Sequence, residues 1–217
     1  MNVDETLVNR VAASLNEQGY YVGQEVISLD EYRSIANSLG RPILETEVML
    51  DPSREASVYS PKEMPFHTDH VRAQFIGWYC IVPHNGIDGA TLLMDSRKAF
   101  ENLSMATLSS LKAISIAMPS LSPREEDRNS FDYSALCDSD ERIHYAPWYV
   151  QEPKDSGIRK ALRSFQAQIE TTESFGVKLE RGQYFFIDNR RILHARGALE
   201  PESKRKLLRI WIEKKEE

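Results

Sequence analysis

The sequence predicts a mostly β fold, a barrel or sandwich with helices packed on its outside. From residue 43 onward, short β-like runs alternate with turn signals, a pattern typical of these folds. The chain lacks the strand–helix alternation of a doubly wound sheet, and it contains neither a GxGxxG nor a P-loop motif. We therefore expect a sheet-based core that does not bind nucleotides.

The first 42 residues are expected to form a cap, with two helices around a short strand. Apolar residues recur at helical spacing from 7 to 15, and Gly19 stands where that helix would end. Ser28 and Glu31 have the spacing of a capping box, which predicts the start of the second helix.

The rest of the chain is expected to supply the core strands, two more helices and one long loop. Residues 119–143 are polar, charged and rich in turn formers, which indicates a loop or lid inserted in the core. The predicted strands lie at 43–50, 56–60, 66–69, 74–82, 91–95, 145–150, 176–179, 183–187, 192–198 and 207–213, and the predicted helices at 96–112 and 156–172.

Composition favours a single domain over residues 1–217, because 41% hydrophobic residues in 217 suffice for one core. A net charge of −6 argues against a nucleic-acid partner. The start has no secretory signal, and no apolar run approaches the ~20 residues of a membrane helix. Two cysteines fit a reducing compartment, so we expect a soluble cytoplasmic protein.

The tripeptide His67-Thr68-Asp69 is the first candidate for chemistry. In a strand, residues i and i+2 share a face, so an imidazole and a carboxylate would stand side by side. Together with a second histidine they would make a 2-His-1-carboxylate facial triad, which leaves metal positions open. His194, on a predicted strand after a polar turn, is the candidate third ligand. A structural His–Asp pair and a core histidine remain the alternatives.

Four blocks carry a family resemblance, in order and at matching spacing: FHTDH at 66–70, GATLLMD at 89–95, DNRRILHARGAL at 188–199 and RKLLRIWI at 205–212. The chain resembles the iron(II)- and 2-oxoglutarate-dependent dioxygenases of the taurine dioxygenase / clavaminate synthase-like family. The resemblance covers roughly residues 60–115 and 180–213. It implies a double-stranded β-helix core, a jelly-roll or cupin-like fold, in agreement with the predicted strands.

The resemblance also implies roles for individual residues. His67, Asp69 and His194 would bind Fe(II), while Thr91 and Arg205 would bind the far carboxylate of 2-oxoglutarate. Arg209 would hold an acidic group of the primary substrate. Because the spacing from the distal histidine varies in the family, it stays open which of the two arginines binds 2-oxoglutarate. We also expect Trp148 to line the substrate pocket, because it adjoins the predicted lid.

The two arginines have a physical reason to share a face. Period 2 in the last strand sends Arg205 and Arg209 to the same side, where two cations need an anionic partner. Between Arg190 and Arg209, seven basic residues and two acids give a local charge of +5 in an acidic chain. A solvent-exposed edge strand is the alternative.

The expected function is therefore an oxidoreductase. With Fe(II), 2-oxoglutarate and dioxygen it would hydroxylate an unactivated C–H bond of a small anionic or amino-acid-like molecule, free or attached to a carrier, releasing succinate and CO2. Desaturation, epoxidation and ring closure use the same residues and remain open, whereas the carboxylate of Asp69 argues against halogenation. A non-catalytic sensor or scaffold that binds metal and 2-oxoglutarate on the same fold is the alternative.

Overall fold

The computed structural model describes residues 4–54, 57–84, 86, 89–121 and 130–215. Its helices are α1 (Glu5–Gln18), α2 (Leu29–Leu39), α3 (Ser96–Glu101), α4 (Met105–Leu111) and α5 (Ser156–Thr171). Its strands are β1 (Tyr20–Val22), β2 (Arg41–Met49), β3 (Met64–His67), β4 (Phe75–Val82), β5 (Thr91–Asp95), β6 (Ser115–Pro119), β7 (Phe131–Ala135), β8 (Phe175–Val177), β9 (Tyr184–Asp188), β10 (Ile192–Arg196) and β11 (Lys206–Glu213).

Two antiparallel sheets form the core. The larger has the order β1-β9-β4-β11-β2 and the smaller the order β3-β10-β5-β8, while β6 and β7 pair by themselves. Buried side chains from both sheets meet in one cluster that includes Trp78, Phe185 and Leu93. These interleaved antiparallel strands confirm the jelly-roll prediction.

Strand alternation decides what covers each sheet. On β9, Phe185 and Ile187 face the core between the sheets, whereas Tyr184 and Phe186 face α1 and α2. On the smaller sheet, Met94 and Leu193 belong to the cluster formed with α3, α4 and α5. The two sheets therefore form a sandwich whose two outer faces are both covered by helices.

The N-terminal cap has the local structure that its sequence predicts. α1 ends at Gly19, whose φ of 82° lies in the left-handed region that favours glycine. Ser28 and Glu31 form both hydrogen bonds of a capping box at the start of α2. The Gly19 carbonyl then accepts a hydrogen bond from Asp188 N at 2.7 Å, which joins the end of α1 to the end of β9.

Three local predictions are wrong. The single helix at 96–112 is two helices, because the Ser104 side chain caps a new start by accepting from Thr107 N. The runs at 56–60 and 145–150 contain 3-10 turns at Ser57–Tyr59 and Pro147–Tyr149 instead of strands, the second with proline in its first turn.

The predicted lid at 119–143 is only partly a loop. Residues 131–135 form β7, whose alternating aromatic and polar side chains suit the strand that pairs with β6. The most charged part of the predicted lid, 122–129, lies outside the described residues. Among the helices that the structure describes, none has both the length and the apolarity to cross a membrane.

Candidate metal centre and its two cavities

The structure brings His67, Asp69 and His194 together beside strands β3 and β10 of the smaller sheet. His67 ends β3 and lies opposite His194 in the pairing of β3 with β10. One ligand atom from each of the three residues lies within 4.8 Å of the other two. Residues more than 120 positions apart in the chain thus form one cluster through strand pairing.

Asp69 reaches the cluster from a loop. The prediction that Asp69 belongs to the same strand as His67 is therefore wrong. β3 ends at His67, so strand alternation does not place the carboxylate. Instead, the Asp69 backbone N–H donates to Asn189 Oδ1 at 2.8 Å. Thr68 is held by Tyr145, whose backbone N–H donates to Thr68 Oγ1 at 2.9 Å and whose carbonyl accepts from Thr68 N at 2.6 Å.

Hydrogen bonding leaves the His67 nitrogen that faces Asp69 available as a ligand. His67 Nδ1 donates to the Pro65 carbonyl at 2.8 Å, so Nε2 carries the lone pair in the neutral ring. His67 Nε2 lies 3.8 Å from Asp69 Oδ1, and His194 Nε2 lies 3.9 Å from Asp69 Oδ2. Both separations exceed hydrogen-bond length, and they suit donors that share a metal ion.

The electrostatics favour deprotonated ligands. Burial lowers the pKa of His67 and places the pKa of His194 well below its ordinary value, so both imidazoles are neutral at pH 7. Burial, the largest single influence on Asp69, would raise its pKa, but the charge of Arg209, the two histidines and the hydrogen bond from Trp211 together outweigh burial and hold that pKa below its usual value. Two neutral imidazoles and one carboxylate are the protonation states that a divalent metal requires.

Arg209 and Trp211 hold the Asp69 carboxylate from the opposite side. Arg209 Nη1 contacts both carboxylate oxygens, at 3.1 and 2.9 Å, and Trp211 Nε1 donates to Oδ2 at 2.8 Å. Both come from β11, which lies between β4 and β2. The alternative that Arg205 and Arg209 project from an exposed edge strand is therefore wrong, since both side chains are also buried.

A small cavity of about 40 Å³ leads from His67 and His194 to Arg205. Arg205 is buried, and its Nη2 donates to Thr91 Oγ1 at 3.1 Å. Among the described residues it has no carboxylate partner, and burial lowers its pKa to about 10, with the nearby Arg196 acting in the same direction. A buried, charged guanidinium that lines a cavity is suited to a carboxylate that comes with a ligand.

A larger cavity of about 450 Å³ opens on the other side of the cluster. Trp148 lines it from the 3-10 turn, with its ring centroid 4.8 Å from that of His67. Arg209 lines both cavities, so its guanidinium lies between the two spaces. Trp148 and Arg209 thus line the same cavity, and their substrate-binding roles stay predictions.

The remaining histidines lie outside the cluster. His70 bonds the Pro119 carbonyl through Nε2 at 3.0 Å and stacks on Trp211. His84 bonds Ser203 at 2.9 Å, and His144 is buried without a partner for Nδ1.

Sequence reasoning missed Asn189, and it left Arg196 between two roles, approach to the cofactor and a structural ion pair. Asn189 is fully buried and, besides accepting from Asp69 N, donates to the carbonyls of His70 and Ala73. Arg196 donates to the carbonyls of Val58, Ser60 and Lys62, which fixes the segment beside the small cavity. The only sequence signal for either is a position inside the DNRRILHARGAL block.

Fold and site together define a class: a double-stranded β-helix protein with a buried 2-His-1-carboxylate cluster, the arrangement of non-heme iron oxygenases. The family model "Taurine catabolism dioxygenase TauD, TfdA family" matches residues 124–211. This match confirms the resemblance that the sequence motifs indicate. The chain matches no curated protein by sequence.

Solved structures share the fold across nearly the whole chain. An asparagine oxygenase in complex with Fe(II), 2S,3S-3-hydroxyasparagine and succinate has a TM-score of 0.75 at 19% identity, covering 97% of this chain and 80% of that one. The non-heme iron oxygenase OrfP with Fe and alpha-ketoglutaric acid has a TM-score of 0.72 at 17% identity, covering 98% and 81%. OrfP with Fe, succinate and (3S)-hydroxy-L-Arg has a TM-score of 0.74 at 16% identity, covering 98% and 82%.

Proposed function

We propose that this protein is an iron(II)- and 2-oxoglutarate-dependent oxygenase that hydroxylates a C–H bond of a small anionic or amino-acid-like molecule. The observation that carries the proposal is the position of the His67–Asp69–His194 cluster next to two cavities. The His67–Asp69–His194 cluster borders a small cavity lined by Arg205 and, through His67 and Asp69, a larger one. Similar structures that hold Fe, succinate and a hydroxylated amino acid support it.

Each residue has a task under this proposal. His67, Asp69 and His194 hold the iron, and Arg205 with Thr91 pairs the far carboxylate of 2-oxoglutarate. When bound there, iron and 2-oxoglutarate would supply the oxidising chemistry, in which one oxygen atom of dioxygen goes to the substrate and the other to succinate formed with loss of CO2.

The substrate side depends on two further residues. Arg209, between the two cavities, binds an acidic group of the substrate. Trp148 lies against His67 at the mouth of the larger cavity and limits the access of water to the metal.

Succinate formation tests the proposal. Purified protein with Fe(II), ascorbate and 2-oxoglutarate should form succinate, and a suitable acceptor should increase the rate. His67→Ala and Asp69→Ala should abolish turnover, whereas Arg163→Ala, at a largely exposed position on α5, should leave it unchanged. Turnover that persists in either ligand variant would remove the metal assignment.

Arg205→Ala separates cosubstrate binding from metal binding. Loss of the buried guanidinium should raise the 2-oxoglutarate concentration needed for half-maximal turnover by roughly 10²-fold or more, while metal affinity stays unchanged. An unchanged requirement for 2-oxoglutarate would contradict the proposal. Binding of metal and 2-oxoglutarate without succinate formation from any acceptor would instead favour a sensor or scaffold.

A further inference from the structure

The indole of Trp211 makes the two oxygens of the Asp69 carboxylate unequal. Trp211 Nε1 donates to Oδ2 at 2.8 Å, whereas Arg209 Nη1 contacts Oδ1 and Oδ2 at the similar distances of 3.1 and 2.9 Å. An indole nitrogen can only donate, and its bond to a carboxylate is charge-assisted. Of these two contacts, that of Trp211 is therefore the one that distinguishes one carboxylate oxygen from the other.

The two histidines of the cluster do not make that distinction by themselves. His67 Nε2 lies 3.8 Å from Asp69 Oδ1, and His194 Nε2 lies 3.9 Å from Asp69 Oδ2. The imidazoles thus face different oxygens at nearly the same distance, and a metal ion between them could meet either oxygen. Which oxygen the ion meets depends on how the carboxylate is rotated about its Cβ–Cγ bond.

The rotation of the Asp69 carboxylate is soft unless a contact fixes it. The last torsion of an aspartate side chain joins an sp³ to an sp² carbon, and its energy minima are broad. Arg209 Nη1, which is roughly equidistant from both oxygens, attracts the carboxylate without strongly favouring one rotation. A donor bonded to a single oxygen opposes rotation, because turning the carboxylate lengthens and misaligns that bond.

The indole ring of Trp211 is itself held by its neighbours. His70 stacks on it with ring centroids 5.9 Å apart and an interplanar angle of 25°, and Arg209 Cζ lies 4.9 Å from its centroid. The His70 ring is fixed in turn, since Nδ1 accepts from Arg72 N at 3.2 Å and Nε2 donates to the Pro119 carbonyl at 3.0 Å. A donor on a ring that is packed in this way holds its acceptor in one geometry.

From these contacts we propose that Trp211 is a positioning residue for the metal: its N–H fixes the rotation of the Asp69 carboxylate so that Oδ1 is the oxygen presented to the ion. This inference rests on the proposed function, because it requires that the cluster holds a metal. Trp211 occupies a lone pair of Oδ2, whereas Oδ1 faces His67 without that bond. Trp211 thus acts on the metal through Asp69 and not by contact.

Trp211→Phe tests the proposal, since phenylalanine keeps an aromatic ring for the stack with His70 and lacks the N–H. Calorimetric titration of the full chain with Mn(II) should show a metal affinity roughly 10–100-fold lower than that of the wild type, the usual cost of removing a hydrogen bond to a metal ligand. If Trp211 only fills space, the phenylalanine ring replaces most of its contacts and the affinity stays unchanged.

Tyr79→Phe is the matched control. It also removes one aromatic donor, which bonds the Ile27 carbonyl at 3.0 Å on the face of the larger sheet that packs against α1 and α2. Its metal affinity should stay within about threefold of the wild type, because distant sites act independently. The proposal is overturned if Trp211→Phe binds Mn(II) as tightly as this control.

The indole N–H signals of the wild-type protein keep the proposal testable if Trp211→Phe does not fold. The chain contains three tryptophans, so a ¹H–¹⁵N spectrum has three such signals, and Trp78→Phe and Trp148→Phe assign the third to Trp211. With diamagnetic Zn(II) bound, the Trp211 N–H should exchange with solvent about tenfold or more slowly than that of the half-exposed Trp148. Rapid exchange in the Zn(II) form would show that the bond to Asp69 is broken when metal binds, which contradicts the proposal.

A wrong metal assignment and a wrong role for Trp211 give different results. If Mn(II) does not bind to the wild-type protein, the proposed function fails and the role of Trp211 fails with it. If Mn(II) binds to the wild type and equally tightly to Trp211→Phe, only the role of Trp211 is wrong.

Discussion

Asn189 shows how a single side chain can position a candidate metal ligand through hydrogen bonds to its backbone. It accepts from the backbone of Asp69 and donates to the carbonyls of His70 and Ala73, at 2.8, 3.3 and 2.8 Å respectively. These contacts hold the loop that carries the carboxylate against the turn after β9. A short, planar amide with both donors and an acceptor suits this position, and neither aspartate nor leucine reproduces all three bonds.

Replacing Asn189 should therefore weaken both the fold and the metal site. Asn189→Ala removes three buried hydrogen bonds, so we expect a loss of about 2–4 kcal/mol in the free energy of unfolding and roughly 10–100-fold weaker metal binding. Urea denaturation and metal titration measure the two effects. Asn102→Ala, which removes an exposed amide bonded to the Lys98 carbonyl, is the control. Unchanged metal affinity in Asn189→Ala would show that Asp69 is positioned by other contacts.

His144 makes stability depend on pH. Burial lowers its pKa from 6.5 to about 4, with the nearby charge of Arg190 contributing. As the pH falls below 6.5, the unfolded chain binds a proton at His144 and the folded chain does not. The contribution of the neutral, buried His144 to the free energy of unfolding is therefore full above pH 6.5 and is lost as the pH falls towards 4. At pH 5 the loss is on the order of 2 kcal/mol. Urea denaturation of the metal-free protein at pH 7 and pH 5 measures it, and His144→Leu should show a smaller difference than the wild type.

At the scale of elements, the end of α1 is tied to the start of β10. Arg191 pairs with Asp95 at 2.6 Å and donates to the Glu17 carbonyl at 2.9 Å, which places its side chain across the helix end. Gly19 lies directly beneath it, and a Cβ added there would come within 2.8 Å of Arg191 Cδ. The helix end thus requires glycine for both its backbone conformation and its neighbour.

Gly19→Ala should accordingly lower the free energy of unfolding by about 1–2 kcal/mol, because alanine is strained at positive φ. Gly197→Ala is the matched control, since a Cβ at that position meets nothing within 4 Å, and its effect should stay within about 0.5 kcal/mol. Chemical denaturation of both variants measures the difference. Equal stabilities would mean that the left-handed conformation at Gly19 is not required.

Sequence patterns predicted the elements whose signals are local. The capping box at Ser28, the glycine at the end of α1 and the alternation along β11 all depend on neighbours within a few residues. The break between α3 and α4 escaped prediction because a local side-chain cap outweighed a continuous apolar stripe. The 3-10 turn at Pro147–Tyr149 escaped because its apolar residues also have a strand-like composition.

The candidate metal ligands could be predicted from the sequence, but the residues that hold them in position could not. His67, Asp69 and His194 were proposed from residue type and family resemblance, and the structure places them together. Asn189 contacts Asp69 across 120 positions, and Arg196 reaches carbonyls more than 130 positions away. No spacing rule encodes such contacts, because they depend on how the two sheets pack.

At the scale of the whole molecule, metal binding should stabilise the native state. His67 and Asp69 lie two residues apart, whereas His194 lies more than 120 positions later, so the three candidate ligands assemble only in the folded protein and metal should bind the native state preferentially. At a free Mn(II) concentration of 100 times Kd, the melting temperature should rise by about 5–10 °C. Differential scanning fluorimetry with and without chelator measures the rise. Asp69→Asn should abolish it and Asp51→Asn, on an exposed turn, should retain it; the same rise in Asp69→Asn would place the metal elsewhere.

The positions of the tryptophans have a practical consequence. The chain contains three tryptophans, and all of them line the two cavities: Trp78 the smaller one, Trp148 and Trp211 the larger one. Trp211 bonds the Asp69 carboxylate, and Trp78 lies edge-on to His194. The tryptophan fluorescence of the protein, excited selectively near 295 nm, therefore arises around the candidate metal centre, so an emission spectrum reports on that centre in the unlabelled protein.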